Sequence, residues 1–478
     1  MTLKEKTKES AGMQFVVESM DIMTTAGRRM LLNQPMPTEA DDIEQELERV
    51  SRIIAATQTA THKEANQRLR HSVMELHDIQ GSIESLRSQV ILDEVELFEI
   101  KKLAYLCRNA RNASKEMGID DVLQIPDLEA VFTLLDPDKT NIAHFYIYDS
   151  YDAELPQLRR ELRALRQNDS EEHQQRIGEL TAKQNEIQLK VATQLSDHLR
   201  VYREHLAEGL SRIARTDILL AKAQLAVSWH LVRPSIRSHS LELEGLFNPR
   251  LKELNNNIGT RYQDIDIDLN EGVCFITGAN MSGKTVLLKS IGIAQMMFQW
   301  GMYVPAQRAS MSPVDDVVLC IGDDQNEMKG LSSYASEMIK ISNTLNRSQS
   351  ERLLILIDEP ARTTNPTEGK AIVQALGTLL NTRDSISMIT THYSNLKLEC
   401  RRMRVRGFME SLCNGKEINP QNINQFMDYS LMEDTSEEVP HEALRIAEIL
   451  GCDSDLIAYA QTYLLEEEKE MRALNRDQ

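Results

Sequence analysis

The sequence predicts an α/β domain, with a mostly parallel sheet built around a phosphate-binding loop, preceded by an all-α domain of long helices. Three observations carry this reading. Gly278-Ala279-Asn280-Met281-Ser282-Gly283-Lys284-Thr285 fits the pattern G-x-x-x-x-G-K-S/T, with the apolar run Val273 to Ile276 before it and the helical spacing of Val286, Leu287, Ser290, Ile291 and Ala294 after it. Downstream, strands and helices alternate, as a parallel sheet requires. Upstream, from about Thr38, apolar residues recur at helical spacing among charged neighbours.

Residues 1–37 form an N-terminal segment whose start, Met1 to Ser10, is polar and charged without an apolar stretch behind it, so no secretory signal is expected. Residues 38–234 make the helical domain. Ile43, Leu47, Val50 and Ile54 set the period, which Ile83, Leu86 and Val90 and then Ile100, Leu103 and Leu106 repeat; Pro and Gly are nearly absent from Asp41 to Arg111, so few breaks are expected. Pro126, the turn Asp136-Pro137-Asp138 and a strand-like run, Phe145 to Tyr148, interrupt the helices. Asp136, Asp138 and Thr140 have the start of a calcium loop, but Asn141 stands where such a loop needs glycine and Ile147 where it needs a bidentate Glu, so calcium is not expected. Leu155, Leu158, Leu162 and Leu165, then Leu195, Leu199, Tyr202, Leu206, Leu210 and Ile213, predict two helices near heptad spacing. The charged, Gln-rich stretch Gln167 to Lys190 between them reads as the polar tip of an antiparallel hairpin. Pro234 and the Ser-rich turn to Ser240 mark the junction to the α/β domain, residues 235–430, and residues 431–478 close the chain with further helices.

The chemistry of the loop follows from its residue types. Glycines let the backbone wrap a phosphate chain while N–H groups and the helix N-terminus point at it. Gly278, Ala279, Asn280, Met281, Ser282, Gly283, Lys284, Thr285 and Val286 are therefore the candidate cofactor-binding set, with Lys284 on the β- and γ-phosphates and the Thr285 hydroxyl on Mg²⁺. The run Leu353 to Ile357 reads as a strand buried on both faces, ending in Asp358-Glu359. Asp358 would hold the Mg²⁺ shell and Glu359 would orient and deprotonate the attacking water. A further strand, Ser387 to Thr391, delivers His392 to the same edge as a γ-phosphate sensor.

Composition bounds the remainder. With 54 Lys and Arg against 73 Asp and Glu, the net charge is -19, the wrong sign for a protein whose whole surface binds nucleic acid. The six cysteines are scattered without a C-x-x-C pair or a His at metal spacing, which suggests reduced structural thiols. No apolar run approaches the ~18 residues of a membrane helix, and a cytoplasmic location is expected.

These residues resemble the MutS-type ATPases. Thr277 to Val286 is similar to that family's T-G-P-N-M-G-G-K-S-T, departing at Ala279, Ser282 and Val286, with Asn280-Met281 the telling pair. Gly330-Leu331-Ser332-Ser333-Tyr334-Ala335-Ser336-Glu337-Met338 resembles its G-x-S-T-F-x-x-E-M loop, and Thr390-Thr391-His392-Tyr393 its A-T-H-Y. Ala443 to Gly451 resembles the terminal helices through which the family dimerises. Tyr151 to Leu155 and Ala214 to Ala223 resemble its lever core more faintly. The resemblance implies an ABC-like P-loop NTPase fold, ATP and Mg²⁺ as cofactors, Mg²⁺-dependent ATP hydrolysis, a homodimer through the ATPase domain and terminal helices, Ser332 reaching the opposing subunit's nucleotide, and a sensor role for His392.

Three departures shape the expectations about the client. The helical part begins too early to leave room for the family's mismatch-recognition domain, the span between the lever helices is short for a DNA clamp, and nothing after the dimerisation helices reads as a nuclease tail. In place of D-E-x-G-R-G-T the chain has Asp358-Glu359-Pro360-Ala361-Arg362-Thr363-Thr364-Asn365-Pro366, most similar to the MutS-like ATPase subunits of reactivating factors for adenosylcobalamin-dependent aminomutases, such as lysine 5,6-aminomutase. The expected activity is thus nucleotide-driven remodelling of a protein client, a cobalamin-dependent aminomutase aided by a second reactivase subunit. The alternative is ATP-dependent binding of mismatched or branched DNA, and a third reading is a nucleotide-gated scaffold with negligible turnover, against which the intact Asp358 and Glu359 argue.

Overall fold

The computed structural model describes residues 1–478 apart from 168–170, 259–261, 279–281, 322–332, 394–395, 410–417, 419–421, 435–441, 450 and 475–478. Three short helices open the chain: α1 (Leu3–Glu9), α2 (Ala11–Glu18) and α3 (Thr25–Asn33). Their starts are written locally, since Thr2, Ser10 and Thr24 each accept a backbone N–H from the first turn. Leu3, Met13, Val16, Val17 and Leu31 are buried in the same core as the phosphate-loop helix. The N-terminal segment, its polar start included, is therefore wrapped onto the α/β domain. Lys6, almost wholly buried, donates to the Val317 carbonyl at 2.7 Å and pairs with Asp316 at 2.7 Å.

The helical domain comprises α4 (Ala40–Gln58), α5 (Lys63–Met74), α6 (Gln80–Arg87), α7 (Glu94–Glu116), α8 (Asp120–Leu123), α9 (Glu129–Leu134), α10 (Leu155–Arg166), α11 (Glu171–Leu199) and α12 (Arg203–Ser228). The stretch from Asp41 to Arg111 is more broken than its lack of Pro and Gly predicts, for it is cut into four helices; Asp93 and Glu96 cap the last of them in a reciprocal box. The run Phe145 to Tyr148 is not a strand. Among the described residues no strand pairs with it, and its Tyr148 instead lies against Lys101, which donates to Asp136 (3.0 Å), the His144 carbonyl (2.9 Å) and the Tyr148 hydroxyl (2.8 Å). Asp136 also accepts from the Thr140 hydroxyl and the Asn141 amide, so its carboxylate serves the turn, and these partners hold it down to about 2 against the opposing effect of burial. The polar stretch after Gln167 is mostly helix: α11 begins at Glu171, and α10 and α11 form the expected hairpin, closed by Leu158, Leu162 and Leu180.

The α/β domain runs through β1 (Ser235–Ile236), β2 (Ser240–Leu246), α13 (Pro249–Ile258), β3 (Ile265–Asn270), β4 (Gly272–Thr277), α14 (Lys284–Gln299), β5 (Arg308–Met311), β6 (Asp316–Cys320), α15 (Ser333–Arg347), β7 (Leu353–Asp358), α16 (Pro366–Leu380), β8 (Ile386–Thr390), β9 (Arg401–Phe408) and β10 (Met427–Glu433), followed by α17 (Glu442–Ile449) and α18 (Ser454–Leu474). The main sheet has the order β10-β9-β4-β8-β7-β6, parallel except for the antiparallel edge strand β10. A second, largely antiparallel sheet, β1-β5-β2-β3, was not foreseen. Period-two alternation splits the main sheet between two cores: Cys274, Ile276, Leu354 and Leu356 face the core shared with α14 and the N-terminal helices, whereas Val273, Phe275, Leu353, Ile355 and Ile357 face α16. Each fully buried Leu, Ile, Met or Phe there contributes roughly 1.5–3 kcal/mol, so α14, with Leu287, Leu288, Ile291, Met296, Met297 and Phe298 all buried, is anchored along its whole length.

Candidate active site

The parallel strands β4, β8 and β7 lie side by side, and their carboxyl ends place the loop after Thr277, the residues after Asp358 and those after Thr390 on one edge, the usual ligand edge of such a sheet. The chain turns off β4 at Gly278 with φ 148° and enters α14 from Gly283 with φ 84°. Both positions strain any side chain by conformation and crowd it as well. A Cβ on Gly278 would stand 3.0 Å from the Ser282 hydroxyl, and one on Gly283 would stand 3.0 Å from the ring of Tyr429. Val286 continues the first turn of α14. Ser282, where the resembling family has glycine, is buried with a hydroxyl that finds no partner among the described residues.

Lys284, only 5% exposed, donates from Nζ to the Gly278 carbonyl at 2.7 Å and lies 3.5 Å from Oε1 of Glu359. The Thr285 hydroxyl donates to Oδ2 of Asp358 at 2.6 Å. The other carboxylate oxygen, Oδ1, accepts from the Thr390 hydroxyl, also at 2.6 Å. Asp358 and Thr390 are partners in the β7–β8 register, which is what brings the two together. Asp358 is thus held between two threonines, in an oxygen-only donor set that suits a hard cation retaining several waters. This set would accommodate Mg²⁺, with Thr285 the residue that would ligate it and Asp358 the one that would act on its shell.

Glu359 occupies left-handed backbone at φ 45°, as does Ala361 at φ 58°. Conformations of this kind in non-glycine residues cost of the order of 1–2 kcal/mol each, and tertiary contacts hold them here. The Glu359 amide donates to both the Thr390 hydroxyl (3.0 Å) and the Thr390 carbonyl (3.2 Å). The Tyr393 hydroxyl donates to the Ala361 carbonyl at 3.3 Å, over Gly369 of α16, where a Cβ would fall 2.1 Å from that hydroxyl. The Glu359 carboxylate is left between Lys284 and Arg362, whose Nη1 is 3.3 Å from Oε2. The His392 ring lies against that of Tyr393, with centroids 4.3 Å apart and planes tilted by 38°. Burial shifts its imidazole below the ordinary range while Glu359 pulls the other way, which favours a neutral ring that can accept or donate a proton at one nitrogen.

The structure therefore brings Gly278, Ser282, Gly283, Lys284, Thr285, Val286, Asp358, Glu359 and His392 to one edge. Ala279, Asn280, Met281 and Ser332 lie outside the described residues. Sequence reasoning missed Thr390 as the second clamp on Asp358, Arg362 beside Glu359 and Tyr429 over the loop. The first was detectable in principle as a hydroxyl residue ending the strand beside β7, but only once strand order and register were known.

Residues 274–467 match the model of MutS domain V, a P-loop ATPase domain. The Endonuclease MutS2 of Agathobacter rectalis is 33% identical over 225 residues, covering 46% of this chain and 28% of that protein. That of Acetivibrio thermocellus is 29% identical over 296 residues, 61% and 35%, and that of Thermus thermophilus 33% over 222 residues, 46% and 29%. The chain thus covers about a third or less of the length of these relatives. The matches support a MutS-family ATPase. They lend no support to the aminomutase reactivating-factor reading. Among the described residues, no helix is long and apolar enough to cross a membrane.

Proposed function

We propose that this chain is a Mg²⁺-dependent ATPase that hydrolyses ATP to ADP and phosphate and uses the nucleotide cycle to move its helical domain against a client. The observation that carries the reading is the convergence of Lys284, Thr285, Asp358 and Glu359 at the carboxyl ends of β4 and β7. Lys284 would neutralise charge on the β- and γ-phosphates, and the backbone of the loop and the α14 N-terminus would cradle them. Mg²⁺ would supply charge stabilisation to the phosphates. Glu359, released from Lys284 as that ammonium turns to the phosphates, would orient the attacking water and accept its proton, and His392 would sense the γ-phosphate.

Nucleic acid is the better-supported client, since the matched relatives are named endonucleases. On the α10–α11 hairpin, Arg163 and Arg166 are exposed with no carboxylate within ion-pair distance among the described residues, while Arg159, Arg176 and Lys183 are paired to acids. Such a surface would bind branched or mismatched duplex with a shallow salt dependence. The reading as an aminomutase reactivator with a second subunit retains two supporting features, the Pro360 to Pro366 variant and the net charge of -19. A homodimer is supported by Leu456, Tyr459 and Tyr463, all exposed at spacings of three and four along α18.

The test is phosphate release with Mg²⁺-ATP, alone, with a branched or heteroduplex DNA, and with an inactivated cobalamin aminomutase plus fresh adenosylcobalamin. Lys284→Ala should lose tight nucleotide binding, and Glu359→Gln should keep binding and lose turnover. Parent-rate hydrolysis by Glu359→Gln would overturn the base assignment, and reactivation without any DNA response would return the mutase reading. Mixing Lys284→Ala chains with Ser332→Ala chains should recover partial activity if sites are shared across a dimer.

A further inference from the structure

The C-terminal end of α14, opposite the phosphate loop, is tied to the helical domain by a buried charge cluster that the chemistry of the active site does not require. The helix stops at Trp300 and Gly301: Gly301 takes φ 62°, its amide bonds the Phe298 carbonyl, and the Met302 amide bonds the Met297 carbonyl, so the motif satisfies two terminal carbonyls. The Trp300 carbonyl is taken by Lys222 of α12, whose Nζ donates to it at 2.6 Å and to Oε1 of Glu46 of α4 at 2.7 Å. Glu46 also pairs with Arg215 at 2.5 Å and Arg49 at 3.3 Å. Lys222 has no exposed side-chain surface, and Glu46 has 8%. A Cβ on Gly301 would fall 2.4 Å from Cγ of Glu46, so α4 presses directly on the helix end. One residue earlier, Gln299 donates to the Pro37 carbonyl (2.6 Å) just before α4, and to the Val314 carbonyl (2.8 Å) just before β6.

A buried lysine and glutamate carry a large desolvation cost, and an apolar pair of equal volume would stabilise the same packing as well or better. What the ionic pair adds is direction. It joins three elements at fixed hydrogen-bond geometry, and it is strained by any tilt of one against the others. α14 has 16 residues, hence a length of about 24 Å at 1.5 Å per residue, and its buried flanks make it move as a rod. Nucleotide acts at one end of that rod, and Lys222 and Glu46 grip the other.

We propose that Lys222 and Glu46 are positioning residues that couple occupancy of the phosphate loop to the set of the helical domain, with the Trp300 carbonyl as the point where α14 hands its displacement to α12 and α4. This rests on the ATPase reading above and extends it by naming the route of the signal. A nucleotide that tilts α14 changes the fit of Lys222 between Glu46 and the helix end, so the two arrangements of the helical domain differ in how well that lysine is satisfied.

The test is hydrogen–deuterium exchange of the full chain with and without Mg²⁺ and a non-hydrolysable ATP analogue, on the parent, Lys222→Met and Glu46→Gln, with affinity for the analogue measured on each. In the parent, the analogue should change exchange in α14, α4 and α12. In both variants the change should remain in α14 and be lost in α4 and α12, with analogue affinity altered by no more than the coupling itself, roughly five- to 150-fold. Glu46→Gln keeps the side-chain volume but removes the charge that fixes Lys222 and Arg215, so it decides the matter if Lys222→Met is poorly folded by circular dichroism. A merely structural pair would lower melting temperature but leave the bound-minus-free difference in α4 and α12 intact, and that result overturns the proposal. So does a parent that binds the analogue without any response in α4 and α12. A parent that binds no analogue at all overturns the ATPase reading instead, a distinct outcome.

Discussion

Replacing Thr390 with valine tests the site at its least expected member. The hydroxyl makes two hydrogen bonds, donating to Asp358 at 2.6 Å and accepting from the Glu359 amide at 3.0 Å. The amide keeps the Thr390 carbonyl at 3.2 Å, so most of the loss falls on Asp358, which would hold its carboxylate by Thr285 alone. A hydrogen bond to a charged group contributes about 1.5–3 kcal/mol. Felt in full by the metal-bound transition state, that is about 10- to 150-fold in turnover. Thr390 is completely buried, and valine has nearly its shape, so no cavity competes as an explanation. The assay is phosphate release over a series of Mg²⁺ and ATP concentrations. Thr390→Val should lower kcat by that factor, raise the Mg²⁺ needed for half-activity and leave metal-free nucleotide binding unchanged, while Thr390→Ser should stay near the parent. Turnover of Thr390→Val within about twofold of the parent, at the same Mg²⁺ dependence, would refute the idea that Asp358 must be clamped from both sides.

Gly369→Ala puts a methyl 2.1 Å from the Tyr393 hydroxyl and 3.0 Å from the Ala361 carbonyl; it should destabilise the fold by about 1–3 kcal/mol in denaturant titration, with Gly369→Ala/Tyr393→Phe regaining part of the loss. Acid stability should report on Glu46. Burial alone would raise its pKa, yet Lys222 and Arg215 hold it at about 2 against 4.5 in the unfolded chain. Because the folded value is the lower one, this stabilisation is present above pH 4.5 and disappears as pH falls from there toward 2, amounting to roughly 3 kcal/mol at 1.36 kcal/mol per pH unit. Burial of Lys222 pushes its own amine down and offsets part of that sum. Glu46→Gln should flatten the stability curve between pH 4.5 and 2, and an unchanged slope would disprove the contribution.

What the sequence disclosed and what it withheld divide along a physical line. The strands Leu353–Asp358 and Gly272–Thr277 were legible because both faces of each are buried, giving unbroken apolar runs, and the loop between Gly278 and Thr285 was legible because its glycines answer to local backbone geometry. The helices at Leu3, Ala11 and Thr25 were not, because their burial depends on a surface supplied by α14 and β6. The second sheet was equally hidden. Its strands pair across long gaps, Leu243 with Ala309 and with Ile267, and nothing local to Arg308–Met311 announces a partner. Phe145 to Tyr148 misled for the converse reason: aromatic alternation without a neighbouring strand serves a buried lysine as well as it serves a sheet. The role of Thr390 needed the β7–β8 register, which no single strand encodes.

The grip of Lys6 on Asp316 and on the Val317 carbonyl spans 311 positions of chain. A ribosome therefore releases the first helices long before their acceptor exists, and in the interval Leu3, Met13 and Val16 have no lasting place to hide. At about 5–20 residues per second that interval is roughly 15 to 60 seconds, during which the helical domain can form from its own nearer contacts. Maturation of the nucleotide-binding half is then gated by the arrival of β6, and a chain stalled before β6 would expose the apolar faces of α1 to α3, which suit chaperone capture.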